Sequence, residues 1–305
     1  MDINNIRLFV LAAEKQNIGS AGRDLRISPA QATTRLAKLE AELGVELLHR
    51  STRKVSLSQD GADYLPYARE ILAQDDAARA ALGKQSMQLK GTIRFAASST
   101  FAQLYIAPLV PDFLAAYPSL ALDLKFSDTQ FNLIEGSFDL ALRSGPLVDS
   151  ALKGRKLADD PRILCASPDY LSAQNLPLDS VDDLAKHSLI GFRDGAPRPL
   201  AREGKIVGNF DPNRSAGRLI VDDGTSQKVA TMAGAGISAN SLWSVHEQIM
   251  SGELVHVLPD LEVADGAVLW LVYPQSNILS PKVRALIDFL MNRIGKSPPW
   301  LDGKV

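Results

Sequence analysis

The stretch IGSAGRDLRISPAQATTRLAKLEAELGVELLHRSTR, from Ile18 to Arg53, decides how the chain is read. Its second helix has a marked start. Ser28 is a capping residue, Pro29 suits the first helical position where no amide donor is needed, and Gln31 completes an S-x-x-Q capping box. Ala32, Leu36, Leu39 and Leu43 then recur at helical spacing as a buried stripe, and Gly44 ends the helix. The opposite face carries Gln31, Thr33, Thr34, Arg35 and Lys38. Short hydroxyls and an amide beside two cations suit a helix lying in a DNA major groove, with Thr33 and Arg35 expected at the base edges.

The helix before it is expected to be capped by Asn17 and anchored by Ile18, Ala21 and Leu25, and Ile6, Phe9, Val10 and Ala13 give a first helix of the same period. Gly19 and Gly22 lie inside the second helix, where a Gly costs roughly 1 kcal/mol against Ala. That helix should be the softest of the three. After Gly44, Glu46 to Leu48 and Lys54 to Leu57 read as extended pieces joined by His49-Arg50-Ser51-Thr52-Arg53. Such a turn offers two guanidinium groups to phosphates, with the hydroxyls of Ser51 and Thr52 as further donors. The pattern is a winged helix-turn-helix.

The run from Ile6 to Leu72 resembles the N-terminal domain of LysR-type transcriptional regulators. The matching stretches are Leu8-Phe9-Val10 with Ala13-Glu14, Ile27-Ser28-Pro29-Ala30, Leu39-Glu40-Ala41-Glu42-Leu43-Gly44, Leu47-Leu48-His49-Arg50-Ser51-Thr52-Arg53, and Gly61 followed by Tyr64 to Leu72. Their order and spacing carry the resemblance, since no tripeptide among them is diagnostic. It implies that the helix opened by Ser28 is the recognition helix and that Arg50 to Arg53 is the wing. The implied DNA-contacting set is Ser28, Pro29, Gln31, Thr33, Thr34, Arg35 and Lys38, with Arg50, Ser51, Thr52 and Arg53. Thr34 departs from the pattern, because many relatives place Arg or Lys there.

At 305 residues, 46% hydrophobic and 22% charged, the chain has the make-up of a globular protein of two or three domains. Met1 to Asn5 is polar and the first apolar run is broken by Arg7 and Glu14, so neither a signal peptide nor a membrane span is expected. One cysteine, Cys165, leaves no internal disulfide, and a cytoplasmic location is expected. The net charge is -2, but residues 1 to 60 hold nine Lys/Arg against seven Asp/Glu. A head so mildly basic must draw affinity from a few placed cations and from two or more heads bound together.

From Ser58 to about Leu82 the chain reads as one long helix. Tyr64, Ala68, Ile71, Asp75, Ala78 and Leu82 alternate steps of four and three, the seam of a two-helix coiled coil interrupted by Asp75. The other reading is that this face packs on its own domain. Gly83 to Gly91 reads as a hinge. Beyond it, strand-like and helix-like segments alternate, which predicts an α/β domain with a largely parallel sheet. Strands are expected at Thr92–Ala97, Leu120–Phe126, Asp139–Arg143, Ile163–Ala166, Ser188–Phe192, Arg218–Val221, Ile237–Ala239 and Val268–Tyr273. Helices are expected at Leu104–Tyr117, Asn132–Gly136, Ser226–Ala233 and Lys282–Ile294. The order suits two subdomains joined by crossover strands, like periplasmic solute-binding proteins, and the family's effector domain has that fold. The expected division is 1–57 for the winged head, 58–90 for the dimerisation helix and hinge, and 91–305 for the effector domain. Within it, subdomain I covers about 91–163 and 268–305, and subdomain II about 164–267.

Ser98-Ser99-Thr100 follows the first strand of that domain and precedes a helix, where exposed amides favour an anion. Ser127-Asp128-Thr129 ends the next strand at the same sheet edge, where open α/β folds place ligands. Phe192-Arg193 ends a strand of the second subdomain and Asp223-Gly224-Thr225 opens another helix. Ser98, Ser99, Thr100, Phe101, Ser127, Thr129, Phe192, Arg193 and Thr225 form the expected effector site, with the hydroxyls of Ser98 to Thr100 expected to face Thr225 across the two subdomains, and a small organic anion is the expected ligand class. The bland alternatives are that Ser99 or Thr100 only caps its helix and that Arg193 is a surface cation. Asn240-Ser241 stands where the family commonly has Leu-Pro, which is expected to alter the cleft floor.

No G-x-S-x-G, Walker A or H-E-x-x-H occurs, and His49, His187, His246 and His256 lack metal-ligand spacing. No metal or cofactor is expected. Cys165, in Ile163-Leu164-Cys165-Ala166, reads as a buried inert thiol. The expectation is a ligand-responsive LysR-type regulator, not an enzyme, whose partners are double-stranded DNA, further copies of itself, a small organic effector and RNA polymerase. Two other hypotheses remain: a solute-binding module whose helical N-terminus serves assembly, and an α/β hydrolytic enzyme using the hydroxyls of Ser98 to Thr100, which would need a nearby His.

Overall fold

The computed structural model describes residues 1–50, 55–81, 89–128, 138–146, 152–193, 195–215, 217–274 and 279–301. The expected wing residues Ser51, Thr52 and Arg53, the short helix Asn132–Gly136, most of the hinge, Leu82 and Thr129 lie outside the described residues. The side chain of Arg50 lies outside them as well. The chain divides into two compact units, one built on Met1–Leu89 and the other on Lys90–Leu133, Phe138–Tyr273 and Ala285–Val305.

In the first unit, α1 (Ile3–Lys15), α2 (Ile18–Asp24) and α3 (Pro29–Leu43) each begin on a side chain that accepts a free helix amide. Asp2 accepts from the Asn4 amide, Asn17 from Ser20, and Ser28 from Gln31 at 3.2 Å, while Gln31 Oε1 accepts from the Ser28 amide at 3.1 Å. The three helices share a core of Ile6, Leu8, Phe9, Ala12, Ala21, Ala32, Leu36 and Leu39. Gly22 is part of that fit. A Cβ there would stand 3.1 Å from the Ala32 Cβ, so the helix-propensity cost in α2 is offset by close approach to α3. Strands β1 (Leu48–Arg50) and β2 (Val55–Leu57) pair antiparallel, and Glu40 Oε1 ties β1 to α3 by accepting the Leu47 and Leu48 amides.

Helix α4 (Gln59–Ala81) starts on Ser58, whose hydroxyl accepts the Gly61 amide, and it corrects the coiled-coil seam. Ala68 is fully buried in the head core, Tyr64 and Ile71 pack against that core, and the Tyr64 ring lies 5.7 Å from Phe9. Asp75 meets Arg7 at 3.6 Å and Arg79 at 2.9 Å, and Ala78 is exposed. The seven-residue spacing is real, but its buried part is spent within the chain. The side of α4 turned outward carries Tyr67, 64% exposed.

The second unit opens with β3 (Gly91–Ala97), α5 (Ser99–Phe101), α6 (Val110–Ala116), β4 (Leu120–Phe126), β5 (Leu140–Ser144), β6 (Leu152–Asp159) and β7 (Arg162–Ala166). It continues through α7 (Pro168–Gln174), β8 (Gly191–Phe192), β9 (Arg198–Arg202), β10 (Lys205–Phe210), β11 (Ile220–Val221), α8 (Gly224–Met232), β12 (Ser238–Ser241) and α9 (Leu242–Ser251). It closes with β13 (Val255–His256), β14 (Glu262–Val263), β15 (Val268–Pro274) and α10 (Pro281–Leu290). One subdomain holds a five-stranded sheet in the order β4-β3-β5-β15-β6, with β3 parallel to β4 and β5, and β15 antiparallel to β5. The other holds β12-β7-β13 and β10-β9-β14, both antiparallel, and the short parallel pair β11-β8. Among the described strand pairings, the expected parallel arrangement is thus limited to β4-β3-β5 and the short β8–β11 pair, and β3, β4 and β8 are the strands whose ends bear the expected cleft residues.

The expected helix Leu104–Tyr117 is also corrected. Helical backbone begins at Ser99, passes through a π turn (Ala102–Ile106) and a 3-10 turn (Ala107–Leu109), and only then becomes α6. Pro108 and Pro111 lack the amide hydrogens that a regular ladder would use there. Among the described residues no helix is long and apolar enough to cross a membrane.

Candidate functional site

Two places gather the expected functional residues, and each lies within one unit. The first is α3. Successive residues turn about 100° around a helix, so the stripe Ala32, Leu36 and Leu39 leaves Thr34 nearest the far side. Gln31, Thr33, Thr34 and Lys38 are exposed, as are Pro29 and Ala30. Arg35 is half-buried on the flank of the stripe, which corrects its placement opposite the core. Both threonine hydroxyls turn back along the helix: Thr33 Oγ1 donates to the Pro29 carbonyl at 3.0 Å, and Thr34 Oγ1 to Ala30 at 3.1 Å.

The second place is the meeting of α5 with α8. Thr100, 3% exposed, brings its hydroxyl 3.0 Å from that of Thr225 in the other subdomain. Gly224 permits this approach, because a Cβ there would stand 3.0 Å from Thr100 Oγ1. Two carboxylates occupy the helix starts. Asp128, just beyond β4, accepts the Ser99 amide at 2.9 Å and the Ser99 hydroxyl. Asp223 caps α8 by accepting the Ser226 amide at 2.8 Å. Burial opposes ionisation of Asp223, but hydrogen bonds from Ser226 and the Thr225 amide outweigh it and hold the carboxyl below its ordinary range. Asp128 and Asp223 lie within the expected segments Ser127-Asp128-Thr129 and Asp223-Gly224-Thr225, but no role was expected of their carboxylates. The signal for Asp128 was an acidic residue at a strand end facing three hydroxyl residues.

Other expected cleft residues are placed differently. Phe101 is fully buried, with its ring 4.9 Å from Tyr105, 5.1 Å from Trp243 and 5.9 Å from Trp300, so it serves the core rather than a ligand. Tyr105 donates to the Trp243 carbonyl at 2.7 Å, and burial raises its pKa. Phe192 is half-buried at the end of β8. Arg193 lies 3.7 Å from Asp222 with both side chains about two-thirds exposed, which is the surface-cation alternative. Asn240 does not floor the cleft, since it is 3% exposed and its amide serves Ser238 at 2.6 Å and the Cys165 sulfur at 3.4 Å. Burial pushes the Cys165 thiol up to about 11 against the pull of those two hydrogen-bond partners.

Residues 3–62 match the family model described as "Bacterial regulatory helix-turn-helix protein, lysR family", and residues 86–295 match "LysR substrate binding domain". The regulator DmlR of Escherichia coli is 32% identical, over 97% of this chain and 96% of its own. The solved structure of CrgA, a LysR-type transcriptional regulator from Neisseria meningitidis, is 28% identical, with a TM-score of 0.59 over 96% of this chain and 98% of CrgA. The full-length Vibrio cholerae virulence activator AphB is 26% identical, with the same TM-score of 0.59, over 96% of this chain and all of AphB.

Proposed function

Because the chain belongs to the LysR family of transcriptional regulators, and so binds DNA and carries an effector-binding domain, we propose that α3 reads bases with Gln31, Thr33 and Thr34. Ser28 and Pro29 set its entry, Lys38 and Arg35 supply charge, and Arg50, Ser51, Thr52 and Arg53 hold phosphates. The observation that carries this is the reciprocal capping box, which fixes the start of α3 and so the position of the small exposed side chains after it. The divisions 1–57, 58–90 and 91–305 are retained as head, connecting helix and effector domain. Self-association is assigned to the outward side of α4 around Tyr67, because the other side is used within the head.

The effector is assigned to the cleft between Thr100 and Thr225, with Ser98, Ser127 and Phe192 at its edges and Thr129 kept as a candidate from the sequence. A ligand hydroxyl or carbonyl entering there would exchange the threonine pair's hydrogen bond for two of its own. Anions are disfavoured, since carboxylates already sit at both helix starts; an uncharged polar molecule fits better. Its binding shifts the population between two arrangements of the effector domain and so the spacing of paired heads, which alters promoter occupancy or contact with RNA polymerase. The protein is a cytoplasmic regulator rather than a catalyst. Ser99 donates to Asp128 and Thr100 pairs with Thr225, so neither hydroxyl is set against an imidazole base. Mapping the protein across its own genome tests this: discrete promoter sites are expected, and uniform occupancy would overturn it.

A further inference from the structure

Resting on the assignment of α3 as the base-reading helix, we propose that Thr34 is a specificity-determining residue that reads the 5-methyl group of a thymine. Three hydrogen bonds lead there. A threonine hydroxyl has one donor and two acceptor lone pairs. Thr34 spends its donor on the Ala30 carbonyl at 3.1 Å, and Thr33 spends its own on Pro29 at 3.0 Å. Gln31 spends its carbonyl oxygen on the Ser28 amide at 3.1 Å, as half of the capping box.

The outward chemistry of the helix follows. With Oγ1 turned back onto the preceding turn, the γ-methyl is the part of Thr34 left to face outward, flanked by the exposed methyl groups of Ala30 and Ala37. A guanine is recognised by donors to O6 and N7, and neither threonine has a donor to give without breaking its bond to the helix. An adenine read in bidentate fashion needs the Gln31 amide to extend into the groove, whereas its oxygen is held back on the Ser28 amide as half of the capping box. Thymine alone among the bases offers an apolar group in the major groove. A Thr34 lone pair can also accept from the N6 of the paired adenine. The same position occupied by a cation would favour guanine, so this residue redirects the preference of the head toward an A·T pair.

The test begins with duplexes enriched from a random pool by the full-length protein. Each thymine of the enriched half-site is replaced by deoxyuridine, which removes only the methyl, and binding is measured for wild type, Thr34→Ser and Thr34→Val. At one thymine, uracil should weaken wild-type binding about fourfold, the worth of one methyl taken from water. Thr34→Val should keep that sensitivity and Thr34→Ser should lose it. Uracil tolerated at every position, or a penalty that persists in Thr34→Ser, overturns the inference while leaving the regulator assignment standing. A pool that yields no enriched sequence overturns both.

Discussion

Thr100→Val and Thr225→Val should destabilise the effector domain unequally. Each keeps the side-chain shape and deletes one hydroxyl of a pair held at 3.0 Å. Thr100→Val leaves the Thr225 hydroxyl half-buried, where water can replace the lost partner, so the cost is the net worth of one hydrogen bond, about 1 kcal/mol. Thr225→Val instead orphans the hydroxyl of Thr100, which is 3% exposed. That group pays a desolvation penalty, so about 2 kcal/mol is expected. Removing both hydroxyls removes the orphan, and the double variant should be more stable than the two single costs add up to, by about 1 kcal/mol. The three tryptophans, Trp243, Trp270 and Trp300, all lie in the second unit, so urea unfolding followed by tryptophan fluorescence reports that unit rather than the head. A coupling inside the scatter of additive pairs, about 0.3–0.5 kcal/mol, would mean that the two hydroxyls do not meet in solution.

Replacing Arg50 or Arg53 by Ala should weaken binding to specific and random duplexes alike and lower the log-log salt slope by about 1; a loss confined to the specific site would contradict the phosphate role. Ile71→Asp should destabilise the head by roughly 2–3 kcal/mol, because Ile71 packs on its core, whereas Tyr67→Asp should weaken self-association in sedimentation and lower the melting point only by the stabilisation that association gave. The Lys186 ammonium and Ser180 hydroxyl hold the Asp183 carboxyl well below the usual range. With its folded pKa depressed, Asp183 stabilises above about pH 4 and loses that effect as the pH falls further, so the urea midpoint of Asp183→Asn should change less than that of wild type across this window. Cys165, buried with a raised pKa, should resist alkylation and peroxide until the protein is unfolded, which mass measurement checks.

The head was legible because its signals are local. Asn17, Ser28 and Gly44 act on amides and carbonyls within a turn of themselves, and the structure has each doing so. Arg35 was misplaced by one step of the helical period, since Thr34 and not Arg35 stands across from Ala32 and Leu36. The α4 seam shows the limit of periodicity: spacing tells that Ala68 and Ile71 are covered, not whether the cover is another chain or α1. In the second unit, β6 was unread because Lys153, Arg155 and Lys156 make this edge strand look like a solvated loop. The β9–β10 hairpin turns on Glu203-Gly204, both with positive φ, a weaker turn signal than Asn-Gly. Helix α9 could have been found, for Leu242, Val245 and Ile249 share one face. The Thr100–Thr225 meeting, 125 positions apart, is where the resemblance set two helix starts face to face across the subdomains, whereas the Asp128–Ser99 partnership, 29 positions apart, is reached by no local rule.

Specific against non-specific DNA binding is the most direct measurement. Titration of the full-length protein against an enriched duplex and a scrambled duplex of equal length, both at physiological salt, should give affinities differing by at least about 10³-fold. Addition of the effector should change the affinity for the enriched duplex far more than for the scrambled one. Equal affinity for the two duplexes at every salt concentration would contradict the account.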